Sequence, residues 1–462
     1  MSDTDLANRT GADNVHIRES VFTLLLGLTI VLVIMNTMMF NLALPDVAQD
    51  FALSSTSVSW IVTGYSILFA ISSITYSRLS DFVPIRRLYV IGILSFGGAA
   101  IIGLFSNSFI PLLIARLIQA SGAGAIPALS MVLITRYVPV ENRGKAMAAI
   151  MSAASLGLGL GPVIGGVIVE YLGWHYLFVI TSLTLALIPF YIRLLPKETP
   201  AKGSFDLFGA LFAGIGTTGL LLFLTSQVWY WLAAGLAAII LFVFRIRMAR
   251  DPFVQPALFR NGRYLMVSAV GIGAYLCSFA TLFILPQILV HQFGLSASES
   301  GFIIFPGSLL AMILSRLVGR VIDRYGNRHI ILYIPLLMLA AVVLFAIFAS
   351  HSQWAVLFIY MMMSIGFTFI SSSVSNELSR LLPGSQVGSG LGLFQLLQFF
   401  SGAFGIAATA TALEWQEART LASAYSSIFW GMAIIVLLVL VCSFFYTRRA
   451  GAKTQQTAQS VS

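Results

Sequence analysis

Long apolar runs alternate with short polar breaks along almost the whole chain, from residue 21 to residue 446. Each run is close to the roughly 20 residues that an α-helix needs to cross the hydrocarbon of a bilayer. The pattern therefore predicts an all-α membrane protein with fourteen spans, at 21–44, 56–77, 87–105, 109–135, 145–169, 174–195, 206–226, 229–247, 264–290, 298–320, 328–349, 353–376, 387–411 and 424–446.

The placement of positive charge supports this count independently. Lys and Arg collect in cytoplasmic loops of membrane proteins. If the N-terminus is cytoplasmic, every Lys and Arg falls in a terminal tail, in a break after an even-numbered helix or in the span ends that flank such a break, except Arg116 inside helix 4 and Arg419 outside. The alternation predicts a multi-pass protein of the cell membrane with both termini in the cytoplasm, and we expect a bacterial source. The tail Met1–Ser20 lacks the order of a cleaved signal, so we expect helix 1 to be retained.

An internal repeat divides the chain. The loops after helices 2 and 10 carry the same Arg/Asp/Arg spacing, at Arg78, Asp81 and Arg86 and again at Arg320, Asp323 and Arg328. Parallel repeats of this kind form transporters whose two halves rock around a central site. We therefore predict a cytoplasmic tail at 1–20, a six-helix bundle at 21–200, inserted helices 7 and 8 at 201–250, a second bundle at 251–446 and a tail at 447–462.

Composition narrows the function classes. The chain is 58% hydrophobic and 9% charged, which leaves no room for a soluble catalytic domain. Its net charge of +9 is spread between the apolar runs, so it indicates topology rather than nucleic-acid binding. Cys277 and Cys442 lie inside apolar runs, and the five His residues are scattered. We expect no enzyme activity, no metal and no cofactor.

Several motifs occur in a characteristic order. They are Asn41–Ala48 closing helix 1, Ser77–Asp81 after helix 2, Arg116–Gln119 in helix 4, Arg136–Ala146 after it, Gly157–Gly166 in helix 5, Asp251–Val254, and Phe305–Gly307. With these motifs nearly the whole chain resembles the drug:proton antiporters of the major facilitator superfamily that have fourteen helices. It most resembles the tetracycline/proton antiporters of Gram-positive bacteria.

The resemblance implies roles for three groups of residues. The two Arg/Asp/Arg loops are expected to act as gates at the cytoplasmic seam, where each aspartate accepts hydrogen bonds across neighbouring helices. The family's antiporter motif corresponds to Gly157, Gly161, Pro162, Gly165 and Gly166, where small residues and a proline permit a close, bent helix contact. Arg116, a charge inside the membrane, is expected to face the pathway and to take part in proton transfer.

The acids that the related antiporters use are missing. The tetracycline antiporters carry intramembrane glutamates where this chain has Thr37, Leu158 and Gly402, and the multidrug pattern has an aspartate at Asn36. Proton coupling normally requires a carboxylate whose two protonation states favour different conformations. Asp46 and Glu377, at helix ends, are the remaining candidates.

The central pocket is expected to be largely neutral and to bind a lipophilic substrate. Its candidate residues are Asn36, Asn41, Trp60, Tyr65, Gln119, Gln395, Gln398 and Phe399. The favoured function is secondary active multidrug efflux: export of lipophilic or cationic compounds, tetracycline-like drugs among them, in exchange for protons by alternating access. We expect a monomer whose partners are the substrate, protons and membrane lipid.

Two other functions stay open. The first is a uniporter or exporter of an endogenous metabolite or lipid-like compound without proton coupling, which the missing acids favour. The second is a membrane receptor or sensor that transports nothing.

Overall fold

The fold is known from a computed structural model, which describes residues 19–80, 83–196, 198, 206–249, 252–382 and 384–459. In this part of the chain fourteen long helices follow one another. They are α1 (Glu19–Asp50), α2 (Ser55–Leu79), α3 (Ile85–Leu104), α4 (Phe109–Tyr137), α5 (Val140–Leu172), α6 (Trp174–Leu194), α7 (Leu207–Ser226), α8 (Trp229–Met248), α9 (Gly262–Gln287), α10 (297–325), α11 (327–348), α12 (Gln353–Leu381), α13 (Gly384–Glu414) and α14 (Leu421–Gln459).

The predicted all-α fold is confirmed. Thirteen of the described helices are long and apolar enough to cross a membrane, and α5 contains the further apolar stretch Leu156–Leu172. The run Ala297–Phe348 contains both α10 and α11, because Gly326 turns the chain between them with φ of 75° and ψ of 154°. A positive φ of this kind strains residues with a Cβ, so glycine permits the turn at this position.

The helices form two bundles, α1–α6 and α9–α14. Within the first, α1 packs on α5, and α4 packs on α2 and α3; within the second, α9 packs on α12, α13 and α14. The bundles meet along two seams, α5 against α10 and α2 against α13. Helices α7 and α8 pack on each other, and α7 also contacts α2 and α13, so the inserted pair lies beside the second seam.

The opposite ends of the helices define two faces of the protein. We call the face with the connections after odd-numbered helices the outer face and the opposite one the inner face, following the orientation that the charge pattern predicts.

Helix α14 continues to Gln459, beyond the predicted end of the last span at residue 446. The N-terminal tail up to residue 18 lies outside the described residues.

The glycines of α5 bring three helices together. A Cβ at Gly161 would lie 2.5 Å from Met38 Cβ, and one at Gly165 would lie 2.8 Å from Met39 Cα, both on α1. A Cβ at Gly166 would lie 2.6 Å from the carbonyl oxygen of Ala297, at the start of α10. Because small residues let backbones approach, this motif sets the spacing of α5 from α1 and from the other bundle.

Asp206 fixes the inner end of the inserted pair. Its carboxylate accepts hydrogen bonds from Arg245 Nε at 2.7 Å, from the backbone N–H of Gly209 at 3.1 Å and from that of Phe253 at 3.2 Å. The first bond joins α7 to α8, the second caps α7 and the third holds the segment that leads to α9. Arg78 Nη2 donates to the neighbouring carbonyl of Pro252 at 3.5 Å.

Candidate functional site

A cavity lies between the two bundles. Its empty volume is about 1080 Å³, including open solvent at its mouth. Helices α1, α2 and α5 line it from the first bundle and α9, α10, α12 and α13 from the second. Among the described residues, the wall consists of aromatic and aliphatic side chains with a few hydroxyl groups and contains no Asp, Glu, Lys, Arg or His. A concave, mostly apolar site with a small number of polar groups is typical of a small-molecule site.

A chain of aromatic rings crosses this cavity from one bundle to the other. The rings of Phe69 on α2 and Phe399 on α13 are 4.5 Å apart between centroids. Phe399 also lies 6.3 Å from Phe279, and Tyr275 lies 5.8 Å from Phe279 and 4.8 Å from Phe367. Tilted, edge-on and stacked rings at these separations attract one another and offer both faces and edges to an aromatic guest.

Arg116 lies behind this wall and is fully buried, with 0% of its surface exposed. Its Nη1 donates to Asn36 Oδ1 at 2.8 Å and to Gln119 Oε1 at 3.0 Å. The guanidinium carbon lies 3.9 Å from the ring centroid of Phe40 and 4.1 Å from that of Tyr65. Neutral amides and aromatic rings therefore hold this charge, through hydrogen bonds and cation–π contacts.

The eight predicted pocket residues separate into three groups. Tyr65 and Phe399 line the cavity. Asn36 and Gln119 hold Arg116 behind it. The others lie outside the lining: Trp60 packs towards α7 beside Ile67 and Leu221, and the remaining members are Asn41, Gln395 and Gln398.

Two glutamates join the bundles at the outer face. Glu170, near the end of α5, accepts from Ser296 Oγ at 2.7 Å and from the backbone N–H of Ser298 at 3.0 Å, at the start of α10. Glu414, at the end of α13, accepts from the backbone N–H of Thr56 at 2.8 Å, at the start of α2. Each carboxylate thus caps a helix of the opposite bundle, where unpaired N–H groups and the helix dipole favour an anion.

The outer contacts follow the internal repeat. Thr56 and Ser298 are related by the same offset as Arg78 and Arg320, and each is the second residue of its helix after a capping serine. The matched positions show that both seams close at the outer face by the same chemistry. We call these two contacts the outer locks.

At the inner end of each bundle, one glutamate forms a cluster of hydrogen bonds. Glu198 accepts from the backbone N–H of Ile85 at 2.7 Å, from Arg136 at 3.3 Å and from the Tyr137 hydroxyl, and so joins α3, α4 and the end of α6. In the other bundle Glu377 accepts from Asn327 Nδ2 at 2.8 Å and from the Tyr446 hydroxyl. Each of these two clusters therefore joins helices within its own bundle.

Two of the predicted functional acids, Asp46 and Glu377, lie near helix ends. Asp46 is half-buried near the outer end of α1, and Glu377 belongs to the inner cluster; neither lines the cavity. Asp81 lies outside the described residues, as does the side chain of Asp323, so the gating contacts predicted for them stay predictions. Arg86, Arg320 and Arg328 lie at the inner ends of the helices.

The amino-acid sequence is similar to that of a known protein family over most of its length. The sequence profile of the Major Facilitator Superfamily matches residues 26–406 and 267–461, which together span most of the chain. The chain belongs to the major facilitator superfamily. This confirms the family resemblance that the motifs indicated, and it makes the chain a member of a family of transporters.

Relatives in this superfamily are similar at low identity. The riboflavin transporter RibZ of Clostridioides difficile is 26% identical over 426 residues, covering 88% of this chain and 93% of that protein. The multidrug resistance protein Stp of Mycobacterium tuberculosis is 27% identical over 403 residues, covering 84% of this chain and 74% of that protein. The uncharacterized transporter YwoD of Bacillus subtilis is 30% identical over 384 residues, covering 79% and 84%.

Solved structures of the superfamily share the fold. A bacterial homologue of the human lysosomal transporter Spinster, in an inward-facing and unoccupied conformation, superposes with a TM-score of 0.68 at 12% identity, covering 95% of this chain and 98% of that one. A POT family transporter in complex with 5-aminolevulinic acid gives a TM-score of 0.68 at 14% identity, covering 91% and 96%.

Several residues of this site were missed by sequence reasoning. They include the second-bundle aromatics Tyr275, Phe279, Tyr360 and Phe367 and the outer-lock acids Glu170 and Glu414. Aromatic side chains are frequent throughout the apolar runs, so nothing marks the ones that face the cavity. The locks had a usable signal, because the offset between the Arg/Asp/Arg loops also pairs Thr56 with Ser298.

Proposed function

We propose that this protein is a secondary transporter that exports lipophilic, ring-containing compounds by exposing the central cavity alternately to the two faces of the membrane. The observation that carries the proposal is the cavity itself, which both bundles line with aromatic rings and which contains no charged side chain. A site shared by two bundles changes shape when they rock against each other. The likeness to a multidrug resistance protein supports this substrate range.

Exchange for protons is the second part of the proposal. Export against a substrate gradient requires a second source of free energy, and an inward flow of protons is the driver we favour. Asp46 and Glu377 remain the candidates for carrying the proton, as acids at the ends of α1 and α12. Membership in a family that contains antiporters supports this coupling.

A panel of compounds tests the proposal. We expect proteoliposomes containing the full chain to release at least one compound of a panel faster than protein-free liposomes, and to dissipate an imposed pH gradient when that compound is added; the panel is ethidium, a quaternary ammonium compound, norfloxacin and tetracycline. Dissipation by at least one compound is the supporting result. If no compound is transported and no gradient is dissipated, drug export is wrong.

The coupling acids are tested in the same vesicles. Asp46→Asn and Glu377→Gln remove one titratable group each with little change in shape. We expect at least one of them to abolish substrate-driven proton movement, because a permanently neutral group cannot exchange a proton. Glu417→Gln, at an exposed outer position, is the matched control and should leave coupling unchanged. Unchanged coupling in both test variants would remove both acids from the mechanism.

The alternative function is uncoupled transport of an endogenous metabolite. One observation favours it: no carboxylate lines the cavity, so a substrate could bind and leave without any change of protonation there. The likeness to a riboflavin transporter also supports a metabolite as substrate. Uptake of riboflavin into the same vesicles at a rate independent of pH would favour this function over drug antiport.

A further inference from the structure

The charge of Arg116 is not balanced by an acid. Among the described residues its hydrogen-bond partners are two neutral amides, and its Nε and Nη2 have no hydrogen-bond acceptor. The nearby Gln119 Nε2 also lacks an acceptor. A buried charge is normally paired with an opposite one. Here a full positive charge and three donor nitrogens without an acceptor remain inside the membrane.

One side chain separates this charge from the cavity. Tyr65 lines the cavity, and the guanidinium carbon of Arg116 lies 4.1 Å from the centroid of its ring. Thr37, another lining residue, donates to the Tyr65 hydroxyl at 3.3 Å. Since the cavity wall has no charged group, the field of Arg116 is not offset within the lining. Low-polarity surroundings transmit this field further than water would.

We propose that the cavity selects aromatic compounds whose charge is zero or negative and excludes cations. This inference rests on the proposed function, because it takes the cavity as the binding site. It narrows the expected substrates, which on the sequence alone included cationic drugs. Aromatic groups are accommodated by the rings of the wall, and an anionic or hydrogen-bond-accepting edge is stabilised by the positive charge behind Tyr65.

A purely structural role for Arg116 is the competing explanation. Its contacts join α1, α2 and α4, and Asn36 is itself held by a hydrogen bond to Thr181 Oγ1 at 2.6 Å on α6. A structural role alone predicts no dependence of binding on ligand charge. Removing Arg116 would confuse the two explanations, so the test adds a charge to the cavity wall and leaves Arg116 in place.

The test uses three ligands with the same ring system and different charges: acridone, acridine-9-carboxylate and N-methylacridinium. Binding to the purified full chain in lipid nanodiscs is measured by ligand fluorescence. We expect the cation to bind at least about tenfold more weakly than acridone, the size expected for a charge–charge interaction at this range in a protein interior. Thr37→Asp should reverse this preference, and Thr37→Asn, uncharged and of the same shape, should keep it.

The outcomes separate the inference from the function on which it rests. The proposed exclusion of cations is wrong if all three ligands bind the wild type equally well. It is also wrong if Thr37→Asp, in a folded protein, leaves the ratio of their affinities unchanged. In both cases the proposal of an aromatic binding site still stands. If none of the three ligands binds, the cavity is not a binding site for aromatic compounds, and the proposed exclusion of cations is then wrong as well. Size-exclusion profiles and melting temperatures matching the wild type establish that both variants are folded.

Discussion

Replacing Gly166 with alanine is expected to reduce transport at least about tenfold by preventing full closure of the outer seam between α5 and α10. The added Cβ would lie 2.6 Å from the carbonyl oxygen of Ala297 and 3.0 Å from the Cα of Ser298. Both are backbone atoms, so only a shift of a whole helix relieves the clash. Overpacking of a close contact costs about 1–3 kcal/mol, and here the cost falls on the closed outer state.

Thiol labelling reports the state of the seam. Leu42 is 2% exposed and lies beside Gly301 in this seam. In a chain whose two cysteines are replaced by serine, a Leu42→Cys reporter should resist a label added from the outer face. Adding Gly166→Ala should make it accessible. Gly98→Ala is the control, because a Cβ there meets no atom within 4 Å. Normal transport by Gly166→Ala with the reporter still protected would contradict the expectation.

Removing both outer locks is the second large change. In Glu170→Ala combined with Glu414→Ala, the N–H groups of Ser298 and Thr56 lose their partners across the two seams. A hydrogen bond to a partly exposed carboxylate contributes about 1 kcal/mol, so losing the two backbone N–H bonds alone, apart from the bond that Ser296 Oγ donates to Glu170, shifts the balance towards the outward-open state by roughly thirtyfold. Transport should slow, since the protein then remains longer in one of its two states.

The Leu42→Cys reporter measures this effect too, through a higher rate of labelling from the outer face. Glu299→Ala is the matched control. Glu299 lies at the same end of α10 and caps that helix through the N–H of Ser296, but this bond stays within one bundle. The control should weaken the cap without opening the seam. Equal labelling of the double variant and the control would show that the outer locks do not hold the bundles together.

The fold was predictable because its two strongest determinants are local. Hydrophobic length gives the spans and charge gives their alternation, and the fourteen predicted spans correspond in order to α1–α14. The continuous run Ala297–Phe348 shows the limit of this approach. Its break depends on the backbone conformation of Gly326, which no hydropathy pattern reveals.

The site was predictable only in part, because lining a cavity depends on which face of a helix points inward. Tyr65 and Phe399 were identified, whereas Trp60 packs towards α7. A helix inside a membrane protein is apolar on all faces, so the inward face carries no periodic signal. Pocket prediction therefore favoured amides, and two of those amides hold Arg116 instead of lining the cavity.

Arg116 illustrates the same limit. A charge within a span indicates a functional position, and the sequence indicated one here. The structure adds that the guanidinium is enclosed by Phe40 and Tyr65, so the effect that we propose for it on the cavity passes across the Tyr65 ring. Its influence on substrates is then a matter of electrostatic field rather than direct contact in this conformation.

The central claim of this account is that substrates bind between the bundles on the aromatic wall. The most direct test measures the dissociation constant of acridone for the full chain in nanodiscs after Phe399→Ala, with Phe358→Ala as control. Phe399 lies in the ring chain of the cavity, whereas Phe358, on α12, is 66% exposed on the outside of the bundle. We predict binding at least about tenfold weaker for Phe399→Ala, from the loss of ring contacts, and unchanged binding for Phe358→Ala. Equal affinity in the wild type and both variants would contradict the claim.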